Sequence, residues 1–291
     1  MIHTNIIKSN LPILLTGEPG VGKSHYASQL NSIRNNCFNN FQTFHVGTVD
    51  ESLFSSELFG HKKGSFTGAI SDKTGFCGLV NKGILFIDEV SELSISNQMK
   101  LLELLEERRY RKIGSTNYIQ FLGKVVLASN KDLFDLVQKQ KFRKDLYDRI
   151  SFFEVKIKPL RDNIELLKEL YDMYYIGFDV DPCLKSFILN YHWPANVREF
   201  VFLNQYFKLV KENGNIGLKD LPLKYKEIDK INLKLTSYKK EVIRHDDYLI
   251  RLYLNQGRGR INHTCKLMGV AKNTLLSKIK KYNIDTYEFQ S

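Results

Sequence analysis

Short apolar runs that end in small or polar residues punctuate the first half of the chain. Ile13, Leu14 and Leu15 lead into TGEPGVGKS, Ile84 to Ile87 lead into Asp88 and Glu89, and KVVLAS at 124–129 leads into Asn130. Uninterrupted apolar runs bounded by turn signals read as strands buried on both faces, the pattern of a parallel sheet covered by helices. GKSHYASQL, after the first run, reads as a helix. Beyond Pro159 the spacing turns helical. PLRDNIELLKELYDMYYIGF is a break followed by an amphipathic helix, and DPCLKSFILNYHWPANVREFVFLNQYFKLVKEN is helix, Trp-Pro turn, helix. Phe187, Tyr191, Trp193, Phe200 and Phe202 are expected to form the core of that segment. Residues 226–243 are rich in charge and free of Gly and Pro, which predicts a linker merging into a helix. From 244 onward the chain reads helix, break at Gly257 and Gly259, helix, turn at Gly269, helix. The pattern predicts an α/β unit over 1–158, a small helical unit over 159–225, a linker over 226–243 and an all-α unit over 244–291.

Composition narrows the class. With 43% apolar and 26% charged residues the chain has the balance of a globular protein and not of a disordered one. No apolar run approaches the roughly 18 residues of a membrane span. The N-terminal MIHTNIIKSNLPILLTGEPG is broken too soon by Gly and Pro for a signal peptide. Cys37, Cys77, Cys183 and Cys265 show neither paired nor metal-ligand spacing, as expected in a reducing, cytoplasmic compartment. The formal net charge of +11 points to a polyanionic partner.

The strongest chemistry lies at the first strand end. Gly17, Glu18, Pro19, Gly20, Val21, Gly22, Lys23 and Ser24 complete G-x-x-x-x-G-K-[ST], with a strand before and a helix after. Backbone N–H groups of such a turn wrap phosphates, the lysine reaches the β- and γ-phosphates, and the serine hydroxyl ligates Mg²⁺. ATP and Mg²⁺ are the cofactors expected. Asp88 and Glu89 emerge at a strand's C-terminal end, where open α/β sheets bind ligands. Asp88 is expected to support Mg²⁺ and Glu89 to polarise a water for attack on the γ-phosphate. Asn130, at a third strand end, either hydrogen-bonds that water or the γ-phosphate, or simply turns the chain into KDLFDLV.

ELFGHKKGSFTGA, residues 57–69, raises a different question, because it places Phe66 and Thr67 between Gly64 and Gly68. An aromatic ring in such a segment either packs back on its own domain or is buried by something else. GSFTGA resembles the GAFTGA loop of the bacterial enhancer-binding proteins, the AAA+ ATPases that activate sigma-54 RNA polymerase. ILFIDE resembles that family's second nucleotide-binding motif, QMKLLELLEERRYRKIGS its following helix and turn, FRKDLYDRI its arginine-finger segment and WPANVREF the sensor segment of its helical lid. The motifs stand in family order from about residue 11 to the C-terminus. The resemblance implies an AAA+ P-loop parallel sheet with helices on both faces, followed by a small α-helical lid. It implies that Phe66 and Thr67 touch the sigma factor, with Gly60, Gly64 and Gly68 letting the loop refold between nucleotide states. It implies that Arg143 and Arg149 act on the nucleotide of a neighbouring subunit in a hexameric or similar ring, and that Arg198 acts within its own subunit. From the residues alone, ion pairing of the two arginines with Asp145 and Asp148 is the competing reading.

Between Gln256 and Tyr282 the chain carries Arg258, Arg260, Lys266, Lys272, Lys278, Lys280 and Lys281 and no acid, while Leu267, Val270, Leu275 and Ile279 supply a small apolar face. A helix-turn-helix fits, with 271–281 entering the major groove of double-stranded DNA. Lys272, Asn273, Thr274 and Lys278 are the candidate base or phosphate contacts. This tail resembles the Fis-type helix-turn-helix that ends many enhancer-binding proteins, which implies association with the nucleoid.

Departures from the family pattern carry expectations of their own. The first strand begins almost at Met1, which leaves no room for a receiver or ligand-binding domain, and the family's helix before that strand is largely missing. His45 stands where the family commonly has an Asn that restrains the catalytic Glu; it is expected to hydrogen-bond Glu89 and to alter coupling between hydrolysis and loop movement. Ser65, Ala195 and Phe200 replace Ala, Gly and Leu as mild changes. The function implied is an ATP-dependent, DNA-binding activator that remodels sigma-54 RNA polymerase. The alternatives are a non-activating DNA-binding regulator that keeps the AAA+ fold as an oligomerisation scaffold, and a different AAA+ machine such as a helicase loader.

Overall fold

The computed structural model describes residues 4–35, 40–211 and 214–225, together with 250–282 apart from 252, 255, 256, 258 and 259, and residues 284 and 286. Cys37, Arg258, the linker expected at 226–243 and much of the helix expected from 244 lie outside the described residues. The chain's contacts divide it into two units, Met1–Leu218 and Lys219–Ser291. No described helix is long and apolar enough to cross a membrane.

The first unit is built on five parallel strands: β1 (Ile13–Thr16), β2 (Phe41–His45), β3 (Ile84–Asp88), β4 (Lys124–Ser129) and β5 (Glu154–Lys156), in the order β2-β3-β4-β1-β5. Strand alternation sends successive residues to opposite faces, and both faces are covered. Leu14, Leu85, Ile87, Val125 and Leu127 join one apolar cluster with Leu58, Leu101 and Leu146. Ile13, Leu15, Ile84, Phe86, Val126 and Ala128 join another with Ala27 and Leu30. The uninterrupted apolar runs thus reflect burial on both sides. Register aligns Thr16 with Ser129 and His45 with Asp88. The turns after β1, β3 and β4 therefore meet at one edge of the sheet.

A short helix, Thr4–Lys8, precedes β1 and buries Ile7 against the Lys23–Asn35 helix. Of the helix expected to be largely missing before the first strand, a five-residue turn is present. The residues that hold it are cationic and distant. Arg34 Nη1 donates to the carbonyls of Ile7, Lys8 and Ser9, at 3.0, 2.9 and 2.8 Å. Lys124 Nζ, buried beneath the sheet, donates to those of Ile6, Ser9 and Leu11, at 2.8, 3.2 and 2.6 Å. A helix C-terminus leaves carbonyls without intrahelical donors, and two basic side chains supply them here.

The helical segment contains Ile164–Tyr174, Pro182–Asn190 and Asn196–Val210. Trp193 and Phe200 are fully buried, as expected, and Trp193 Nε1 donates to Ile188 O at 3.0 Å. Phe202 does not belong to that core, being 61% exposed.

In the second unit, Ile261–Met268 ends at Gly269, whose φ of 65° makes the left-handed cap typical of a helix terminus, and Lys272–Lys281 follows. Leu275 is buried with Ile250, Leu254 and Ile284, and Val270 and Ile279 pack against them. Leu267, expected on this face, is 43% exposed instead. Lys272, Asn273 and Thr274 are exposed on the first turn of the second helix, and Lys278 is half-buried.

Candidate functional site

The glycine-rich turn after β1 wraps a cavity of about 320 Å³ lined by Pro19, Gly20, Gly22, Lys23, Ser24, Asp88, Glu89, Asn130, Val197, Arg198, Val201 and Phe202. Three strand ends and one lid helix thus contribute to a single cavity. Lys23 opens its helix and is buried, and its Nζ donates to Gly17 O at 2.8 Å and Glu18 O at 3.1 Å. Burial lowers the Lys23 pKa, the carboxylates of Asp88 and Glu89 oppose that, and Arg198 adds to it. A buried ammonium held by nothing stronger than two carbonyls suits an incoming phosphate, because hydrogen bonds between ionised groups are the stronger kind.

Glu89 is held at φ 59°, a left-handed conformation uncommon for a side-chain-bearing residue, and its N–H donates to Asp88 Oδ1 at 3.0 Å. The turn re-aims the chain at the end of β3 and leaves the Glu89 carboxylate exposed in the cavity. A Cβ added to Gly47 would lie 2.9 Å from Glu89 Oε2, so this carboxylate runs close to the backbone after β2. His45 does not reach it: the contact of its Nδ1 is with Asp88 Oδ2, at 3.5 Å, as the register of β2 and β3 dictates. Among the described residues no group of three or more His, Cys, Asp or Glu is placed to hold a metal. Ser24 and Asp88, which both line the cavity, are the residues that would hold Mg²⁺.

Arg143 and Arg149 do not line the cavity of their own chain. Arg143 is the residue before the Lys144–Ile150 helix, with its N–H on Gln98 Oε1 at 2.8 Å. Its guanidinium makes a bidentate pair with Asp145, at 3.0 and 2.6 Å. Arg149 is exposed in the last turn of that helix.

The lid meets the phosphate turn directly. Arg198 N donates to Gly20 O at 3.2 Å. The Glu18 side chain points away from the cavity and is held by Arg161 and Asn196. The bonds from Arg161 come first, then that from Asn196, in holding the Glu18 pKa down at about 2. Val197, Val201 and Phe202 were not anticipated as cavity residues; their spacing from Arg198 along one helix face was the available signal.

Gly60–His61 and Lys73–Thr74 pair antiparallel as the neck of the 60–74 loop. Within it Gly64 N donates to Ala69 O at 2.8 Å and Ala69 N to Phe66 O at 3.0 Å. The Phe66 ring meets His61 edge-on, with centroids 5.0 Å apart, and remains 37% exposed. The ring is packed back on its own domain and still offered to solvent. Thr67 is exposed, and Ile70, not anticipated, is 83% exposed. The adjacent segment around Ile113 docks against the loop: Lys62 N donates to Ile113 O, and Ile113 N to Gly60 O, both at 2.9 Å.

Residues 2–156, more than half of the chain, match the family described as the sigma-54 interaction domain. The regulatory protein AtoC of Escherichia coli (strain K12) is 29% identical over 96% of this chain and 64% of its own length. The anaerobic nitric oxide reductase transcription regulator NorR of Aliivibrio fischeri is 37% identical over 67% of this chain and 40% of its own. The chain therefore spans 64% or less of these two relatives. The crystal structure of NtrX from Brucella abortus in complex with ATP superposes with a TM-score of 0.67 at 21% identity, covering 97% of this chain and 66% of that one. That likeness shows that the two chains share a fold, a parallel sheet with helices on both faces.

Proposed function

Because the chain belongs to the sigma-54 interaction domain family, we propose that it is an ATP-hydrolysing, DNA-binding transcriptional activator that remodels sigma-54 RNA polymerase from the cytoplasm. The observation that carries this reading is the division of the catalytic set. Lys23, Asp88, Glu89, Asn130 and Arg198 share one cavity, while Arg143 and Arg149 lie outside it. Such a site is complete only when a second copy brings its arginines.

In this reading the backbone from Gly17 to Ser24 cradles the triphosphate, and Lys23 exchanges its two carbonyl partners for the β- and γ-phosphates. Ser24 and Asp88 would hold Mg²⁺, which would supply positive charge against the phosphates. Glu89 orients and polarises the attacking water, and Asn130 hydrogen-bonds that water or the γ-phosphate. Arg198 acts from its own lid. Arg143 and Arg149 offset charge on the neighbour's γ-phosphate, for which the Arg143–Asp145 pair must open; that pair is exposed and cheap to break. Phe66 and Thr67 carry the nucleotide state to the sigma factor, and Lys272, Asn273, Thr274 and Lys278 hold the complex on DNA.

The test combines ATP turnover at rising protein concentration with sigma-54 binding in the presence of ADP and aluminium fluoride. Specific activity is expected to climb with concentration, and the sigma complex to disappear in Phe66→Ala. DNA binding without turnover or complex would overturn the reading in favour of a scaffold regulator. The observation on that side is His45, standing 3.5 Å from Asp88.

A further inference from the structure

Glu18 occupies one of the free positions of the phosphate turn, where the motif asks nothing of the side chain. The structure nevertheless uses both ends of this residue. Its carbonyl accepts from Lys23 Nζ at 3.1 Å, beside that of Gly17 at 2.8 Å. Its carboxylate leaves the cavity and receives Arg161 Nη1 on Oε2 at 2.8 Å, Arg161 Nη2 on Oε1 and Asn196 Nδ2 on Oε2 at 3.1 Å. Asn196 is fully buried at φ 54°, and its amide is fully engaged: Oδ1 accepts from Leu160 N at 2.8 Å, and Nδ2 also donates to Pro19 O at 3.0 Å. Two residues further on, Arg198 lines the cavity.

We propose that Glu18 is a positioning residue that couples the state of the phosphate cradle to the placement of the lid, and through it to Arg198. The proposal rests on the nucleotide-binding reading given above. When a phosphate draws the Lys23 ammonium away from the Gly17 and Glu18 carbonyls, the segment carrying them is released. Glu18 cannot move without moving the bidentate Arg161 and the saturated Asn196, which open the lid segment and start its last helix. An ion pair as open to solvent as Glu18–Arg161 adds little to stability. A planar two-bond pair of this kind fixes orientation instead.

The experiment compares the full chain with Glu18→Gln, Arg161→Gln and the double variant. The readouts are steady-state ATP kinetics, affinity for a fluorescent ADP analogue, and thermal midpoint. Each single variant is expected to lower kcat about tenfold, the scale of a typical coupling between sites. KM and ADP affinity should stay within about twofold, since ground-state binding is left in place. The double variant should be no worse than either single, because the two residues act as one unit. Unchanged kcat in the single variants would overturn the proposal, as would strictly additive losses. So would kcat, ADP affinity and thermal midpoint falling together, the mark of a merely structural contact. A wild-type chain that turns over ATP while Glu18→Gln does the same overturns this proposal alone. A wild-type chain that binds no nucleotide overturns it together with the reading beneath it.

Discussion

Gly20 and Gly68 share a positive φ, 78° and 102°, and sit in opposite surroundings. A Cβ on Gly20 would lie 2.1 Å from Ala195 O and 3.2 Å from Arg198 Cβ, whereas one on Gly68 would meet nothing within 4 Å. At Gly20 space demands glycine, because the lid backbone runs against the phosphate turn. At Gly68 only the backbone conformation favours it. The two glycine-rich segments are thus different devices: one is clamped on both sides, and the other is a turn held by a few backbone bonds. A segment with few packed neighbours opens at low free energy, which suits the nucleotide-dependent role proposed for this loop.

Substituting the two glycines breaks the comparison most directly. Gly20→Ala forces the lid off the turn and is expected to cost about 3 kcal/mol or more of unfolding free energy, in the range of severe packing errors, with loss of nucleotide binding. Gly68→Ala pays only for an L-residue in the left-handed region, about 1–2 kcal/mol, and leaves nucleotide binding intact. Urea unfolding of both variants with an ADP titration checks this; equal costs would show that the contrast in packing does not matter.

A second prediction asks whether the clamped half extends beneath the sheet. Lys124→Met keeps the volume of the side chain and removes the donor shared by the carbonyls of Ile6, Ser9 and Leu11. The expected loss is about 1 kcal/mol, since Ser9 O keeps Arg34 and Ile6 O keeps Ser9 Oγ, while Leu11 O loses its donor and bears the desolvation cost. Burial lowers the Lys124 pKa from 10.5 to about 7. Between those values the unfolded chain binds the proton more readily than the native one, so stability rises with pH there. The wild-type advantage over Lys124→Met should be smallest below about pH 7 and widen toward 10.5, as urea midpoints across that window would reveal. Amide exchange in the 62–70 loop should not change; a faster loop would mean that the two halves are not independent.

The strand-end residues were legible because each closes an apolar run: Lys23, Asp88, Glu89 and Asn130 needed only the rule that such ends meet at one edge of a parallel sheet. Arg143 and Arg149 were legible as a pair and not as a location, since nothing in FRKDLYDRI says which chain's phosphate they face. The residues that escaped are those whose meaning lies in a distant partner. Lys124 opens an apolar strand and reads as its polar boundary, because backbone carbonyls leave no signature in sequence. Phe202 looked like core because an aromatic in a lid helix usually is, and only its neighbours Arg198 and Val201 mark the face it occupies. His45 was assigned to Glu89 by counting back from a motif; strand register, which such counting does not fix, set it beside Asp88.

The smallest expected effect bears on how tightly the open loop is held. Ser65 Oγ is buried with no hydrogen-bond partner among the described residues, and its Cβ would lie 2.6 Å from a Cβ placed on Gly114. The hydroxyl gives up water when the loop folds back and gains nothing in return. Removing an unsatisfied polar group in this setting stabilises the folded-back loop by about 1 kcal/mol. Ser65→Ala should therefore slow local amide exchange at residues 64–70 by about fivefold, while urea midpoints for global unfolding hold. It should also weaken the sigma-54 complex formed with ADP and aluminium fluoride, because the loop starts from a deeper resting state. Exchange that stays the same or quickens would mean that the hydroxyl is satisfied when the loop is closed. Slack in this loop would then have to come from its open glycines alone, and the contrast with the clamped turn at Gly20 would rest on packing without help from an unmatched hydrogen bond.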